Sequence, residues 1–356
     1  MRVLQLSKAF SFGGAENHVR DLANVLDDFG NDVYVIAYRG SQNDRLNKNV
    51  HFINLKMVDI LIPFHILYLC RILKRYKIDV IHAHKRLPVV LASIAGWIMH
   101  VPVVVTIHGK PWYDLRSPLS KMLASKIIFV SMRSVNRYAS YEKIKHKSVF
   151  IQNGVENTNE IVERDYYSLC YVSRIDKRHS SVISMIIKEI LPVIIKDFPA
   201  VTFNIIGDGE YLNDLKEDVS AINESNNRKI CLVHGYVPEV KSLVRRSGLV
   251  FGVGRSAIEA LSCAVPVISL NQEFMGHFVS EQNYHFYRQN NFVAAGHTPP
   301  DAGRLTSLLQ EYFNNPLLFQ KEAVTLQGQI REDFGMTKIA NAIINVYKEI
   351  IKSPHR

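Results

Sequence analysis

Short apolar, β-branched runs alternate with stretches of helical periodicity along most of the chain. From the amino terminus, Val3-Leu4-Gln5-Leu6 precedes a segment from Ala15 to Leu26 with apolar residues at 15, 19, 22, 23 and 26, and Val33-Tyr34-Val35-Ile36 follows. Runs of this kind, repeated in turn with helical stretches, predict parallel strands joined by crossover helices. The series continues through Val80-Ile81-His82-Ala83, a helix from about Pro88, Val103-Val104-Val105-Thr106, Ile127-Ile128-Phe129-Val130 and Ser148-Val149-Phe150-Ile151. A polar cluster from Asn153 to Asp165 then predicts a linker. Beyond it a second series places strands at Leu169–Val172, Val201–Ile206, Ile230–Val233, Leu249–Phe251 and Pro266–Ile268. The last helix, Thr337 to Ile351, is apolar at 339, 340, 343, 344, 347, 350 and 351, a stripe that needs a surface to cover.

The pattern predicts an α/β protein of two Rossmann-like, doubly wound domains facing across a cleft, with ligands at the carboxyl ends of the strands. The expected boundaries are 1–160 and 161–336, with a closing helix at about 337–356. A length of 356 residues agrees, being too long for one compact core. With 47% hydrophobic and 21% charged residues, a disordered or collagen-like chain is excluded.

Cys70, Cys170, Cys231 and Cys263 lie far apart, without a CxxC pair, so reduced thiols are expected rather than a disulfide frame or a zinc site. The opening residues run straight into a strand with no secretory pattern, and the most apolar stretch, Met57 to Cys70, is broken by Asp59, Pro63 and His65 and too short to span a bilayer. A cytoplasmic protein is expected. Its net charge of +10 is unevenly placed: residues 1–160 hold 22 Lys and Arg against 12 Asp and Glu, and the rest is balanced at 21 against 21.

Four segments could carry chemistry. Phe12-Gly13-Gly14-Ala15-Glu16 joins the first strand to the first helix, where glycines permit close backbone approach and free amides can hold a phosphate. A plain tight turn is the alternative, and the pair does not match GxGxxG. Phe251-Gly252-Val253-Gly254-Arg255-Ser256-Ala257-Ile258-Glu259 opens a short helix; its glycines clear space, Arg255 adds positive potential, and Glu259 could accept two ribose hydroxyls. A helix-face carboxylate paired with a nearby cation is the alternative for Glu259. Ser173-Arg174-Ile175-Asp176-Lys177-Arg178-His179 puts cations at a strand's carboxyl end, suited to a diphosphate, or forms a solvated basic turn. His108, ending the strand in Thr106-Ile107-His108-Gly109, could orient a hydroxyl or be a structural histidine. His82 and His84 are expected on opposite faces of their strand, which argues against a shared metal.

Taken in order, these segments resemble the retaining glycosyltransferases of family 4, of GT-B fold. The matching run is Phe12-Gly13-Gly14-Ala15-Glu16, Asp79 to His84, Thr106 to Gly109, Gln152-Asn153-Gly154-Val155, Ser173-Arg174-Ile175, Ile205-Ile206-Gly207-Asp208-Gly209, His234-Gly235-Tyr236-Val237 and Glu259 to Ile268. The resemblance implies transfer of a sugar from a nucleotide diphosphate, UDP being the expected nucleotide, to an acceptor hydroxyl with retained configuration. The second domain would bind the donor and the first the acceptor, with no metal and no cofactor. The family's final helix often crosses back onto the first domain, so the resemblance implies that the segment at about 337–356 packs back there.

By position, Arg174 resembles the family's diphosphate arginine, Glu259 its ribose glutamate, Gly14 (with Gly13) its phosphate-approaching glycine and His108 its histidine near the transferred sugar. His108, Arg174 and Arg255 are thus the expected catalytic residues. Gly207, Tyr236, Val237, Gly254 and Ser256 complete the expected donor site, with Lys177, Arg178 or His179 as the phosphate cation. Two positions depart from the family: Phe251 stands where a first glutamate is usual, beside a Gly-x-Gly-Arg loop, and His179 stands where a lysine is usual.

The expected product is a bacterial-type surface glycan such as lipopolysaccharide, capsule or O-antigen. The basic first half implies a negatively charged partner, either a lipid-linked or anionic glycan acceptor or an anionic membrane surface contacted by Arg71, Lys74, Arg75 and Lys77; an ordinary solvated helix face is the alternative. Nucleic acid is not expected, since no helix-turn-helix, zinc-finger or aromatic RNA-binding signature is present. The competing readings are a non-hydrolysing UDP-sugar epimerase of the same architecture and a glycosyltransferase-like protein that has lost catalysis.

Overall fold

The computed structural model describes residues 1–11, 13–156, 162–237 and 239–352. Phe12, the expected junction at 160/161 and the last four residues of the expected closing segment lie outside these. The chain divides into two compact units, Met1–Glu156 with Phe334–Arg356, and Asn157–Asp333. The first contains β1 (Arg2–Ala9), α1 (Gly14–Asp28), β2 (Asp32–Tyr38), β3 (His51–Asn54), α2 (Ile62–Tyr76), β4 (Val80–His84), α3 (Arg86–Met99), β5 (Val103–Ile107), α4 (Pro111–Asp114), α5 (Pro118–Leu123), β6 (Lys126–Phe129), α6 (Met132–Asn136), α7 (Tyr141–Ile144) and β7 (Ser148–Phe150). The second contains β8 (Asp165–Val172), α8 (Lys177–Met185), α9 (Leu191–Asp197), β9 (Thr202–Ile206), α10 (Leu212–Ser225), β10 (Cys231–Gly235), α11 (Val240–Val244), β11 (Ser247–Gly252), α12 (Arg255–Ser262), β12 (Val267–Leu270), β13 (Met275–Phe278), α13 (Tyr284–Gln289), α14 (Ala302–Asn314) and α15 (Pro316–Phe334). Helix α16 (Met336–Lys352) then belongs to the first unit.

Among the described residues, the first unit forms a seven-stranded parallel sheet in the order β3-β2-β1-β4-β5-β6-β7. Its central strands β4 and β5 are buried along their whole length, as strands covered by helices on both faces must be. On one face Leu4, Ile81 and Val105 meet Leu69 and Ile72 of α2 and Leu91 of α3. On the other, Val3, Val80 and Val104 meet Val19 and Leu22 of α1 and Ile339 and Ile343 of α16. The apolar stripe after Thr337 therefore has its surface within the first unit.

The second unit forms a six-stranded sheet, β10-β9-β8-β11-β12-β13, parallel except for the β12–β13 pair. Phe203 and Phe251 sit in its core with Ile183 of α8 and Leu309 of α14.

The structure corrects the sequence reading at three places. The polar stretch from Asn153 to Asp165 is not a linker at its ends: Val155 bridges Gly335, its N–H donating to the Phe334 carbonyl at 2.8 Å, and Asp165 opens β8. Arg164 donates to the carbonyls of Ala264 and Cys263, both at 2.8 Å, so polar side chains act here as anchors. Strands β3 and β13 were not expected, being four residues each, at sheet edges, with two polar or small residues apiece. His82 and His84 share one face, with ring centroids 4.3 Å apart, because residues two apart in a strand point the same way.

Candidate functional site

Strand order reverses between β1 and β4 in one sheet and between β8 and β11 in the other. Ligand crevices in open α/β sheets form beyond the carboxyl ends at such points. The candidate residues of each unit gather at these ends.

In the second unit the turn after β8 is laid against the turn after β9. Ser173 and Ile175 donate their N–H groups to the carbonyls of Ile206 and Asp208 at 3.1 and 3.0 Å, and Gly207 donates to Gly235 at 2.9 Å. The approach requires glycine: Gly207 has φ +147°, and a Cβ there would collide with the Ser173 carbonyl oxygen, as one on Gly209 would with that of Ile175. Asp176 caps α8, accepting from the N–H groups of Arg178 and His179 at 3.1 Å each. The cap sorts the three cations. Arg174, Lys177 and Arg178 are exposed, whereas His179 is half-buried with Nδ1 3.2 Å from the Tyr171 hydroxyl, and burial pushes its imidazole below the usual histidine range. Tyr236 and Val237, half-buried, follow β10.

Helix α12 is preceded by Gly254, which has φ +57°, donates to the Asn291 carbonyl at 2.9 Å and offers no side-chain cap. Ser256 Oγ donates to the Val172 carbonyl at 3.2 Å, tying this turn to the end of β8. Arg255 Nε bonds Glu259 Oε1 at 2.6 Å, with side-chain exposures of 8% and 13%. Arg255 is thus drawn onto Glu259 rather than held out toward solvent. Phe251 lies inside β11, fully buried against Tyr171 and Phe203, so it faces no ligand.

In the first unit Gly13 precedes α1, and a Cβ on it would collide with Glu16 Oε2. Glu16, itself buried, forms an ion pair with Lys85 at the start of α3. Gly14 is exposed in the first turn of α1. At the ends of β4 and β5 stands a histidine cluster. His82 bonds the hydroxyls of Tyr347 on α16 and Thr106, both at 2.6 Å, and His84 Nδ1 lies 3.0 Å from His108 Nε2. His18 of α1 stacks edge-on against His108 at 5.1 Å. Burial pushes His82, His84 and His108 well below the usual histidine range; for His108 the nearby His18 and Lys85 push the same way and the Asn153 amide opposes them. His108 is half-buried and turned inward: Nε2 is taken by His84 and Nδ1 is buried.

Sequence reading missed Lys85, Glu16 and Asp114, and it noticed His84 but turned it away from His82. Burial raises the Asp114 carboxyl to about 6, with Lys85 opposing, and it stands on α4 just beyond His108. Lys85 has φ +64°, a conformation nothing in its local sequence announces. Of the three missed residues, Glu16 lay inside a quoted motif, where the glycines drew notice.

Comparison with known proteins follows the same division of the chain. Residues 12–158 match the family model Glycosyltransferase Family 4, and residues 167–309 match Glycosyl transferases group 1. Solved structures of similar fold include a glycosyltransferase from Rickettsia africae (TM-score 0.74, 17% identity, 99% of each chain covered) and Anabaena HepE in complex with UDP (0.72, 18%, 98% of this chain and 100% of that one). A putative UDP-N-acetylglucosamine 2-epimerase from Listeria monocytogenes is also similar (0.68, 11%, 99% and 96%). No curated protein sequence matches. The chain therefore has the GT-B fold of these glycosyltransferase structures, with a segment that matches the Family 4 model followed by one that matches the group 1 model.

Proposed function

We propose that the protein is a retaining glycosyltransferase that moves a sugar from a UDP sugar to an acceptor hydroxyl, in building a bacterial surface glycan of the lipopolysaccharide, capsule or O-antigen kind. The observation that carries the reading is the convergence of Gly207, Gly209 and Gly254 with exposed Arg174, Lys177 and Arg178, the N-terminus of α12 and Glu259 at the carboxyl ends of β8, β9 and β11. Bare backbone admits a diphosphate, fixed cations and amides meet its charge, and a carboxylate one turn into the helix receives a ribose. UDP is the first nucleotide to test because Anabaena HepE has been solved with UDP and with UDP-glucose.

In this mechanism the bond from the sugar's anomeric carbon to the β-phosphate oxygen breaks, and the acceptor oxygen bonds to that carbon on the same face. The acceptor proton passes to the departing β-phosphate. Arg174, with Lys177 and Arg178, neutralises the leaving group, and Arg255 acts by holding Glu259. His108 orients the acceptor side through its pair with His84. The charge is met by protein groups, so no metal and no cofactor is called for. The acceptor is a glycan or lipid-linked glycan, taken by the basic first unit on the cytoplasmic side.

Arg174→Ala and Glu259→Ala should each weaken UDP binding about tenfold or more, the worth of a hydrogen bond to a charged group, and reduce transfer in step. Calorimetric titration with UDP and an assay of sugar release check this; unchanged binding in both variants would sink the site. The likeness to the Listeria protein keeps an epimerase as the second reading. NMR of a UDP sugar incubated with the protein alone separates them: conversion of the sugar without an acceptor would favour the epimerase. Absence of transfer, hydrolysis and conversion across a set of UDP sugars would favour a protein that binds without catalysis.

A further inference from the structure

We propose that the outer face of α2, with the helix layer beside it, is a docking surface for an anionic lipid bilayer. Ile60 to Tyr68 of this layer form no part of the donor or histidine clusters. At 100° per residue, Phe64, Leu67, Tyr68, Arg71, Lys74 and Arg75 fall within about 120° of arc on α2, and all six are exposed. The opposite arc, His65, Leu69, Ile72 and Leu73, is buried against the sheet. A helix that has already buried one apolar stripe should show water a polar one. Here the outward stripe is apolar over its first two turns, with Phe64 69% and Leu67 59% exposed, and cationic over its last two. Ile60, in the turn before the helix, is 88% exposed.

Helix α3 packs against α2, and α4 and α5 pack against α3, and each of the three carries an exposed large apolar side chain. Trp97, near the end of α3, is 64% exposed, Trp112 on α4 is 50% exposed, and Met122 on α5 is 67% exposed. These are the chain's two tryptophans, and tryptophan is the side chain that settles at the boundary of hydrocarbon and headgroup. Charge selects the occupant. Residues 51–150 carry 16 Lys and Arg against 4 Asp and Glu, so a second copy of the chain would meet its own sign, while anionic headgroups complement it. Phe64, Leu67 and the tryptophans would enter the acyl boundary as Arg71, Lys74 and Arg75 extend to phosphates. The surface deepens the proposed function by bringing a lipid-linked acceptor to the enzyme, and it rests on that reading for this purpose alone.

The test uses the full chain and vesicles of phosphatidylcholine alone or with 30% phosphatidylglycerol. Sedimentation with the anionic vesicles, weakened by salt, is expected, together with a blue shift of tryptophan emission. Phe64→Ser with Leu67→Ser should weaken binding about tenfold or more, and Lys74→Glu with Arg75→Glu should abolish the preference for anionic lipid, each with an unaltered circular dichroism spectrum. UDP affinity should be unchanged in both, which separates failure of this surface from failure of the donor site. Absence of binding to anionic vesicles, equal binding to neutral ones, or full binding by the serine variant would overturn the proposal. So would concentration-dependent dimerisation abolished by the serine variant, which would make the face a contact between copies.

Discussion

Single residues in this protein take their character from burial. Burial pushes His82, His84 and His108 toward the neutral form, and the neighbouring histidines and Lys85 push the same way; Thr106, Tyr347 and Asn153 stand beside them. Their depressed folded-state values mean that the unfolded chain binds more protons once pH falls below about 6.5, so their contribution to stability is complete above that pH and lost below it. Each histidine adds a slope of up to about 1.4 kcal/mol per pH unit. Asp114, raised to about 6 by burial, works in the opposite sense between its ordinary value and 6 and offsets part of one histidine. Urea denaturation from pH 7.5 to 5 should show stability falling with acid below about 6.5, less steeply in His84→Phe. A flat profile would show that the cluster is charged or open to water. None of this was legible beforehand: His82, His84 and His108 are visible as letters, but their contact depends on β4 lying beside β5 and α1 and α16 closing over both.

At the scale of elements, much was legible. Among the described residues, eleven of the thirteen strands were marked by short apolar or β-branched runs, and the two missed were short edge strands with mixed composition. The glycines of the second unit were legible as a motif, but their purpose was not, since Gly207 is required by the carbonyl of Ser173, some thirty residues away in sequence. Gly207→Ala should therefore cost about 2–4 kcal/mol and lose UDP affinity together, because the turns after β8 and β9 must part. Chemical denaturation and nucleotide titration check it, and full stability in the variant would mean the turns separate freely. Helix α12 shows the opposite case. Spacing pointed to its loop and to Glu259, and the structure adds the contact of the Arg255 guanidinium with Glu259, an i to i+4 pair that the sequence permits but does not require.

For the whole molecule, the first unit is discontinuous: its sheet is made by residues 1–156 and one of its faces is closed by α16. A fragment ending at Glu156 would expose Val19, Leu22 and their neighbours and leave His82 without the Tyr347 hydroxyl. Expressed alone, 1–156 should be insoluble or molten, whereas 162–333, with its own core, should fold and unfold cooperatively. Circular dichroism and thermal melting of the two fragments test this, and a stable, soluble 1–156 would show that α16 is dispensable. Among the described residues no helix is long and apolar enough to cross a membrane, so the surface on α2 concerns contact rather than spanning. What the sequence by itself determined is local and periodic: two parallel α/β halves, the basic character of the first, and the glycine and cation motifs at strand ends, because strand and helix periods and turn chemistry are written in neighbouring residues. What only the tertiary structure decided is which distant groups meet: His84 with His108, Lys85 with Glu16, Arg255 turned onto Glu259, His179 turned toward Tyr171, and an apolar stripe left facing outward. Those outcomes depend on strand order, burial and the cost of withdrawing polar groups from water, which no local pattern encodes.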